Sequence, residues 1–126
     1  AKIYSYKVFG EGNSTPSSTI ITAIERSIDP NQDGNFSDHL DIISMSLGGS
    51  GNPSDALSNA VKNAVNNGIV AVVAAGNSGS YHRTIESPGC SPSSITVGAV
   101  NKKGKIADFI VAEPGIFKTG YNSFIH

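Results

Sequence analysis

Seven small or β-branched apolar residues, Ile69 to Ala75, run without a polar break between Gly68 and Gly76-Asn77. A half-buried strand would alternate, so an unbroken apolar run of this length predicts a strand buried on both faces of a parallel sheet. The other elements are arranged about it. Lys2 to Phe9 alternates and is rich in β-branched and aromatic residues, and Gly10-Glu11-Gly12-Asn13 ends it, which predicts a first strand. Ile20, Ile21, Ile24 and Ile28 recur at helical spacing; Ser14 or Thr15 would cap that helix and Pro16 would sit in its first turn. Asp41 to Leu47 predicts a second strand ending on Gly48-Gly49. Asn52-Pro53-Ser54-Asp55 then opens a second helix, with Leu57, Val61, Ala64 and Val65 on one face and Asn67-Gly68 closing it. After an irregular segment from Ser78 to Ser94, Ile95 to Val100 predicts a fourth, short strand.

Strand, helix, strand, helix, strand with short links calls for right-handed crossovers. The expected fold class is therefore α/β, a parallel β-sheet flanked by helices in a Rossmann-like three-layer arrangement. A length of 126 residues suits one domain or a large part of one. Nine Lys and Arg against ten Asp and Glu generate no strong field, so neither nucleic acid nor a membrane surface is an expected partner. No apolar run is of membrane length, and the lone Cys90 excludes an internal disulfide.

Ligands of open α/β sheets bind outside the carboxyl ends of the strands. Asn77, at the end of the central run, is thus the first candidate for function: a side-chain amide held there can donate to a developing oxyanion. Gly-Asn after a strand is also an ordinary turn. A second candidate is the polar loop within residues 29–41, where Asp29, Asn31, Asp33 and Asn35 place oxygens at alternate positions around Gly34. That spacing is like the first half of a calcium loop; a twelfth-position Glu is missing, since Leu40 stands there, and Asp38 would close the site instead. The competing reading is a solvated polar loop. His39, His82 and His126 are read as solvated side chains, Cys90 as a small neutral thiol, and no serine stands in a Gly-x-Ser-x-Gly elbow.

Three blocks occur in order: Ile42-Ile43-Ser44-Met45-Ser46-Leu47-Gly48-Gly49; Val73-Ala74-Ala75-Gly76-Asn77-Ser78-Gly79; and Ser87-Pro88-Gly89 followed by Ile95 to Val100. Together they resemble the subtilisin-like serine proteases (the subtilase, or peptidase S8, family), and the resemblance covers nearly everything up to Phe109. It implies that Asn77 is the oxyanion donor and that Ser46, Leu47 and Gly48 pair with a peptide or protein substrate as an added strand. It also implies that Asn13, Ser14 and Thr15 form the opposite rim and that Ala74, Ala75 and Gly76 form one wall of the primary specificity pocket. Ile85-Glu86-Ser87-Pro88 would be the floor of that pocket. The family often has Gly where Glu86 stands, so an acid there would favour a basic substrate residue. The Ser87-Pro88 bond would be cis. Calcium is a common family cofactor, which strengthens the metal reading of residues 29–41, and an extracellular or cell-surface location is implied.

The family's Asp-Thr/Ser-Gly, His-Gly-Thr-His and Gly-Thr-Ser-Met-Ala blocks, which carry the catalytic triad, are not among these residues. The chain is accordingly expected to be the central segment of a peptidase domain, inactive by itself and prone to self-association. After Phe109 the family pattern breaks, because Ile110-Val111-Ala112-Glu113-Pro114-Gly115 follows at once. The alternative is a non-catalytic, calcium-dependent peptide-binding module; a nucleotide-binding sheet is disfavoured because no Gly-x-Gly-x-x-Gly or Walker loop follows any strand.

Overall fold

A computed structural model describes residues 1–79, 81 and 84–108. The break in the family pattern at residues 110–115, together with His82 and His126, lies outside the described residues. Three strands, β1 (Ile42–Met45), β2 (Val70–Ala74) and β3 (Ile95–Val97), form a parallel sheet in the order β1-β2-β3. The register sets Met45 beside Val73 and Ala74 beside Val97. Because all three strands run the same way, their carboxyl ends emerge along one edge of the sheet.

Helices α1 (Ser17–Ile28) and α2 (Ala56–Asn66) pack on one face of this sheet. Ile20, Ile24 and Ile28 of α1 and Leu57, Val61 and Ala64 of α2 meet Ile43, Met45, Ala71 and Val73 in a single core. Period-3.6 spacing on the helices and period-2 spacing on the strands deliver those positions to one interior. Helix α2 begins on Asp55, whose side chain accepts the Ser58 N–H, and ends on Asn67 and Gly68.

The α/β class with parallel strands and flanking helices stands, and the described residues supply two of its layers. On the far face Ile42, Val70 and Ile95 are 61%, 44% and 43% exposed. The central strand therefore has one covered face and one half-open face among the described residues, rather than two covered ones.

Other local expectations need correction. Lys2 to Phe9 forms no strand: the segment is largely exposed, and Ile3 is 92% accessible. Alternation marks a segment able to pair, but residues 2–9 lie against neither of the edge strands β1 and β3 in a ladder, and the described sheet holds three strands alone. Val8 alone packs on the core. Helix α1 is capped by neither Ser14 nor Thr15; Pro16, in extended conformation, holds the N-cap and makes no side-chain cap bond. The carbonyl of Pro16 instead accepts the Thr19 N–H at 3.0 Å. β1 and β3 are shorter than Asp41–Leu47 and Ile95–Val100, because the chain turns away from the sheet to build the loops of the cleft.

Burial separates two substitutions. Ile24, 3% exposed at the α1–α2 contact, should lose about 2–5 kcal/mol when changed to Ala. Ile42→Thr, on the open face, should change stability by less than about 0.5 kcal/mol. Chemical denaturation of the two variants checks the pair.

Candidate functional site

The three carboxyl strand ends border a cleft of about 420 Å³. β1 contributes Ser46, Leu47 and Gly48; β2 contributes Ala74, Ala75, Gly76 and Asn77; β3 contributes Val97, Gly98 and Ala99. Phe9 and Asn13 form the facing rim, and Glu86 enters from the loop between β2 and β3.

Backbone bonds fix that loop. Glu86 N–H donates to the Ala75 carbonyl at 3.1 Å, and Gly49 and Ser87 exchange a reciprocal pair at 3.0 and 2.9 Å. The chain after β2 is thereby stitched to the exits of both β1 and β2. The Ser87-Pro88 bond is cis, as the resemblance implied, and Pro88 is fully buried.

The Glu86 side chain turns into the cleft. Its Oε1 accepts from Ser78 Oγ at 2.7 Å and from the Asn77 N–H at 3.3 Å. A Cβ on Gly76 would lie 2.6 Å from Glu86 Cγ, and one on Gly48 would lie 2.8 Å from its Oε2. Only glycine at both positions leaves the carboxylate room to lie between the β1 and β2 ends. Asn77 is exposed and lines the cleft, and its backbone N–H is engaged by Glu86.

Below the cleft, Asp55 ties α2 to the same loop. Its Oδ1 accepts from the Ser58 N–H at 2.8 Å and from Ser87 Oγ at 3.0 Å, and its Oδ2 accepts from the Asn52 N–H at 2.9 Å. Ser58 Oγ lies 3.2 Å from Ser87 Oγ, and Ser91 Oγ donates to the Ser58 carbonyl at 3.2 Å. Burial pushes the Asp55 carboxyl up, but the bonds from Ser58, Asn52 and Ser87 outweigh it and hold the group below its ordinary value.

The structure thus gathers the expected residues Ser46, Leu47, Gly48, Ala74, Ala75, Gly76, Asn77 and Glu86 around one volume. Ser14 is exposed and does not line it; Asn13 does. Ser87 was expected on the pocket floor, whereas Ser78, Asp55 and Val97 to Ala99 were given no part in the site by sequence. The strand-end rule that flagged Asn77 applies equally to β3 and could have found Val97 to Ala99.

The polar loop lies away from the cleft, between α1 and β1. Asp29 accepts from the Asp33 and Gly34 N–H groups at 3.2 and 2.9 Å. Asn31 Oδ1 accepts the Asp33 N–H at 2.9 Å, and Asp33 accepts from the Asn35 N–H and from Asn31 Nδ2. Asn35 Oδ1 accepts the Ser37 N–H. Asp38 sits in a 3-10 turn, Phe36–Asp38, and takes no part in these bonds. Among the described residues no three His, Cys, Asp or Glu side chains converge as a metal-binding group. His39 is also remote from the cleft, with Nδ1 3.0 Å from the Leu40 carbonyl. Cys90 Sγ lies 3.7 Å from Ser58 Oγ, within the packing of the Asp55 network.

A parallel sheet with a cleft at its carboxyl edge, and an exposed Asn at the end of the central strand, has the arrangement of open α/β folds that bind ligands at their strand ends. Residues 1–119 match the model of the subtilase family, and the chain belongs to that family. It is 41% identical over 111 residues to subtilisin E of Bacillus subtilis (strain 168), covering 86% of this chain and 27% of that protein. It is 42% identical over 106 residues to the serine protease AprX of the same organism, covering 80% of this chain and 24% of that one. Among solved structures, the S41 psychrophilic protease superposes with a TM-score of 0.72 at 34% identity, over 88% of this chain and 36% of that chain. Sphericase gives 0.62 at 38% identity, over 78% and 32%. The chain therefore spans about a quarter to a third of these relatives.

The Asp55 network generates an acid-stability prediction. A carboxyl whose folded pKa is depressed stabilises the fold above its unfolded value, roughly pH 4, and loses that contribution as pH falls through the folded value. Asp55→Asn keeps one capping oxygen but loses the charge and turns an amide donor toward a group that donates to the carboxylate, so its urea midpoint at pH 7 should fall while its decline below about pH 4 becomes shallower. Asp55→Ala should cost about 1 kcal/mol at pH 7 through the lost cap. Urea titrations from neutral to acid pH measure both.

Proposed function

We propose that this chain is the central segment of a subtilisin-like serine endopeptidase domain, holding the oxyanion donor and part of the substrate cleft, with the Asp, His and Ser of the triad supplied by segments outside these residues. The observation that carries the reading is that exposed Asn77 lines a cleft walled by Ser46–Gly48 and Ala74–Gly76. In this reading an extended peptide adds to the Ser46, Leu47 and Gly48 backbone as a strand. Asn77 Nδ2 donates to the oxygen of the tetrahedral intermediate as a serine supplied from elsewhere forms and then loses the acyl-enzyme bond. A fixed donor of this kind is worth about 3–4 kcal/mol of transition-state stabilisation, but it has nothing to stabilise until a nucleophile attacks.

Three further proposals accompany it. The protein acts outside the cell or at its surface; a relative 40% identical over 100 residues is named minor extracellular protease Vpr, in Bacillus subtilis (strain 168). The open face bearing Ile42, Val70 and Ile95 is covered by the remainder of the domain, so the isolated chain self-associates through it. The third concerns the polar loop, whose donors are all oxygen and suit a hard cation: Asp29, Asn31, Asp33 and Asn35 would hold calcium. Bound there, the ion would neutralise the loop's carboxylates and stiffen the link between α1 and β1.

Two measurements test these proposals. A fluorophosphonate probe should leave the 126-residue chain unlabelled and label one serine of the complete protein, read by mass spectrometry. An adduct on the short chain would place a nucleophile and its base inside it, and a complete protein that stays unlabelled would favour the non-catalytic peptide-binding module. Calcium should raise the melting temperature relative to chelator, and Asp33→Ala should abolish the rise; an unchanged melting temperature removes calcium from the account.

A further inference from the structure

We infer that Asp55 is a positioning residue for the substrate-pairing segment Ser46–Gly48, acting through Ser87 and Gly49; this rests on the peptidase reading above. β1 ends at Met45, and the chain beyond it runs exposed or half-exposed through Ser46, Leu47 and Gly48. Two fastenings bracket those three residues. On one side is the ladder that sets Met45 beside Val73, and on the other is the antiparallel bridge of Gly49 with Ser87. The first belongs to the sheet. The second is only as fixed as Ser87, whose hydroxyl donates to Asp55 Oδ1 at 3.0 Å and lies 3.2 Å from the Ser58 hydroxyl.

Asp55 in turn stands on the core. It caps α2 through the Ser58 N–H, and Leu57, Val61 and Ala64 of that helix are buried. Its Oδ2 accepts the Asn52 N–H at 2.9 Å, so the stretch from Gly49 to Asn52 is held at one end by Ser87 and at the other by Asp55. Space is tight along that stretch: a Cβ on Gly51 would overlap both Asp55 Oδ2 and the Ser87 Cβ. The carboxylate thus carries the position of α2 across to Gly49 and, through it, to the backbone with which an extended peptide pairs. Strand addition needs each amide and carbonyl of that backbone in a fixed place, and a displacement of about 1 Å in such a site costs up to about a hundredfold in rate. A helix cap with no further role would, on removal, lower stability and leave substrate choice alone. Asp55→Ser retains a capping hydroxyl but has one oxygen where Asp55 uses two, and so separates the cap from the tether.

The test is made on the complete protein, folded at neutral pH, with two p-nitroanilides that share the residue before the scissile bond. One is an acylated single amino acid; the other is a tetrapeptide long enough to pair with Ser46–Gly48. The tetrapeptide should have the higher kcat/KM in the parent. Asp55→Ser should cut that advantage roughly tenfold, the worth of about one hydrogen bond. Ser87→Ala should cut it by a similar factor, and the double variant by no more than the larger single one, because both break the same tether. An absent or undiminished advantage, or factors that multiply in the double variant, overturns the inference and leaves the peptidase reading intact. Cleavage of neither anilide by the parent defeats the peptidase reading instead. Amide hydrogen exchange in the same complete protein then decides for the tether. Faster exchange at Gly49 and Ser87 in Asp55→Ser, with Val61 and Ala64 unchanged, supports it; unchanged exchange at Gly49 and Ser87, or a rise that includes Val61 and Ala64, overturns it.

Discussion

Parallel pairing of β1, β2 and β3 is the constraint on which the rest of the structure depends. In a parallel sheet all strands leave by the same edge, and the register here aligns Met45 with Val73 and Ala74 with Val97, so the three exits fall side by side. Antiparallel pairing would have sent one exit to the far edge and left no cleft. The covered face makes this arrangement stable: Ile43, Met45, Ala71 and Val73 bury against both helices, and a one-residue slip of either strand would turn its set toward solvent. The position of Asn77 is thereby a consequence of core packing several residues earlier.

The loop between β2 and β3 shows how a segment with no regular structure is held to similar precision. Its backbone polar groups are paired with strand exits, through Glu86 to Ala75 and Ser87 to Gly49, and its side chains are paired with the start of α2. Asp55 serves both as the N-cap of that helix and as the acceptor for the Ser87 hydroxyl. One carboxylate thus couples helix formation to the position of the cleft floor. The buried Ser58 and Ser91 hydroxyls complete the network, Ser58 Oγ donating to the Asn52 carbonyl and Ser91 Oγ to the Ser58 carbonyl.

The elements of the core were legible because their signals are periodic. Ile20, Ile24 and Ile28 repeat at helical spacing, the run from Ile69 to Ala75 is continuous, and Asp55 and Gly68 punctuate α2 where a cap and a stop are needed. Alternation over Lys2 to Phe9 carried less information, since it reports the ability to pair and not the presence of a partner strand. The capping expectation at Ser14 and Thr15 failed because a hydroxyl caps only from the N-cap position, which Pro16 occupies. In the site, Ser46–Gly48 and Ala74–Asn77 were legible as strand ends. The direction of Glu86 was not: it depends on how residues 84–89 fold back over Gly48 and Gly76, a contact between segments 10 and 38 positions away in the chain (86 minus 76 and 86 minus 48) that no local pattern records.

Two carboxylates beside the loop between β2 and β3, Asp55 and Glu86, show how the same chemistry takes different places in the fold. Asp55 receives donors on both oxygens, from Ser58 and Ser87 on one and Asn52 on the other, and its charge is fully used within the fold. Among the described residues Glu86 receives donors on Oε1, and the missing Cβ atoms of Gly48 and Gly76 leave room for Oε2. A carboxylate satisfied on both sides resists change because every partner would be left unpaired. A carboxylate at the rim of a cleft is oriented by its partners while it borders the open volume. That difference separates the residue that holds the loop in place from the residue the loop presents to the cleft.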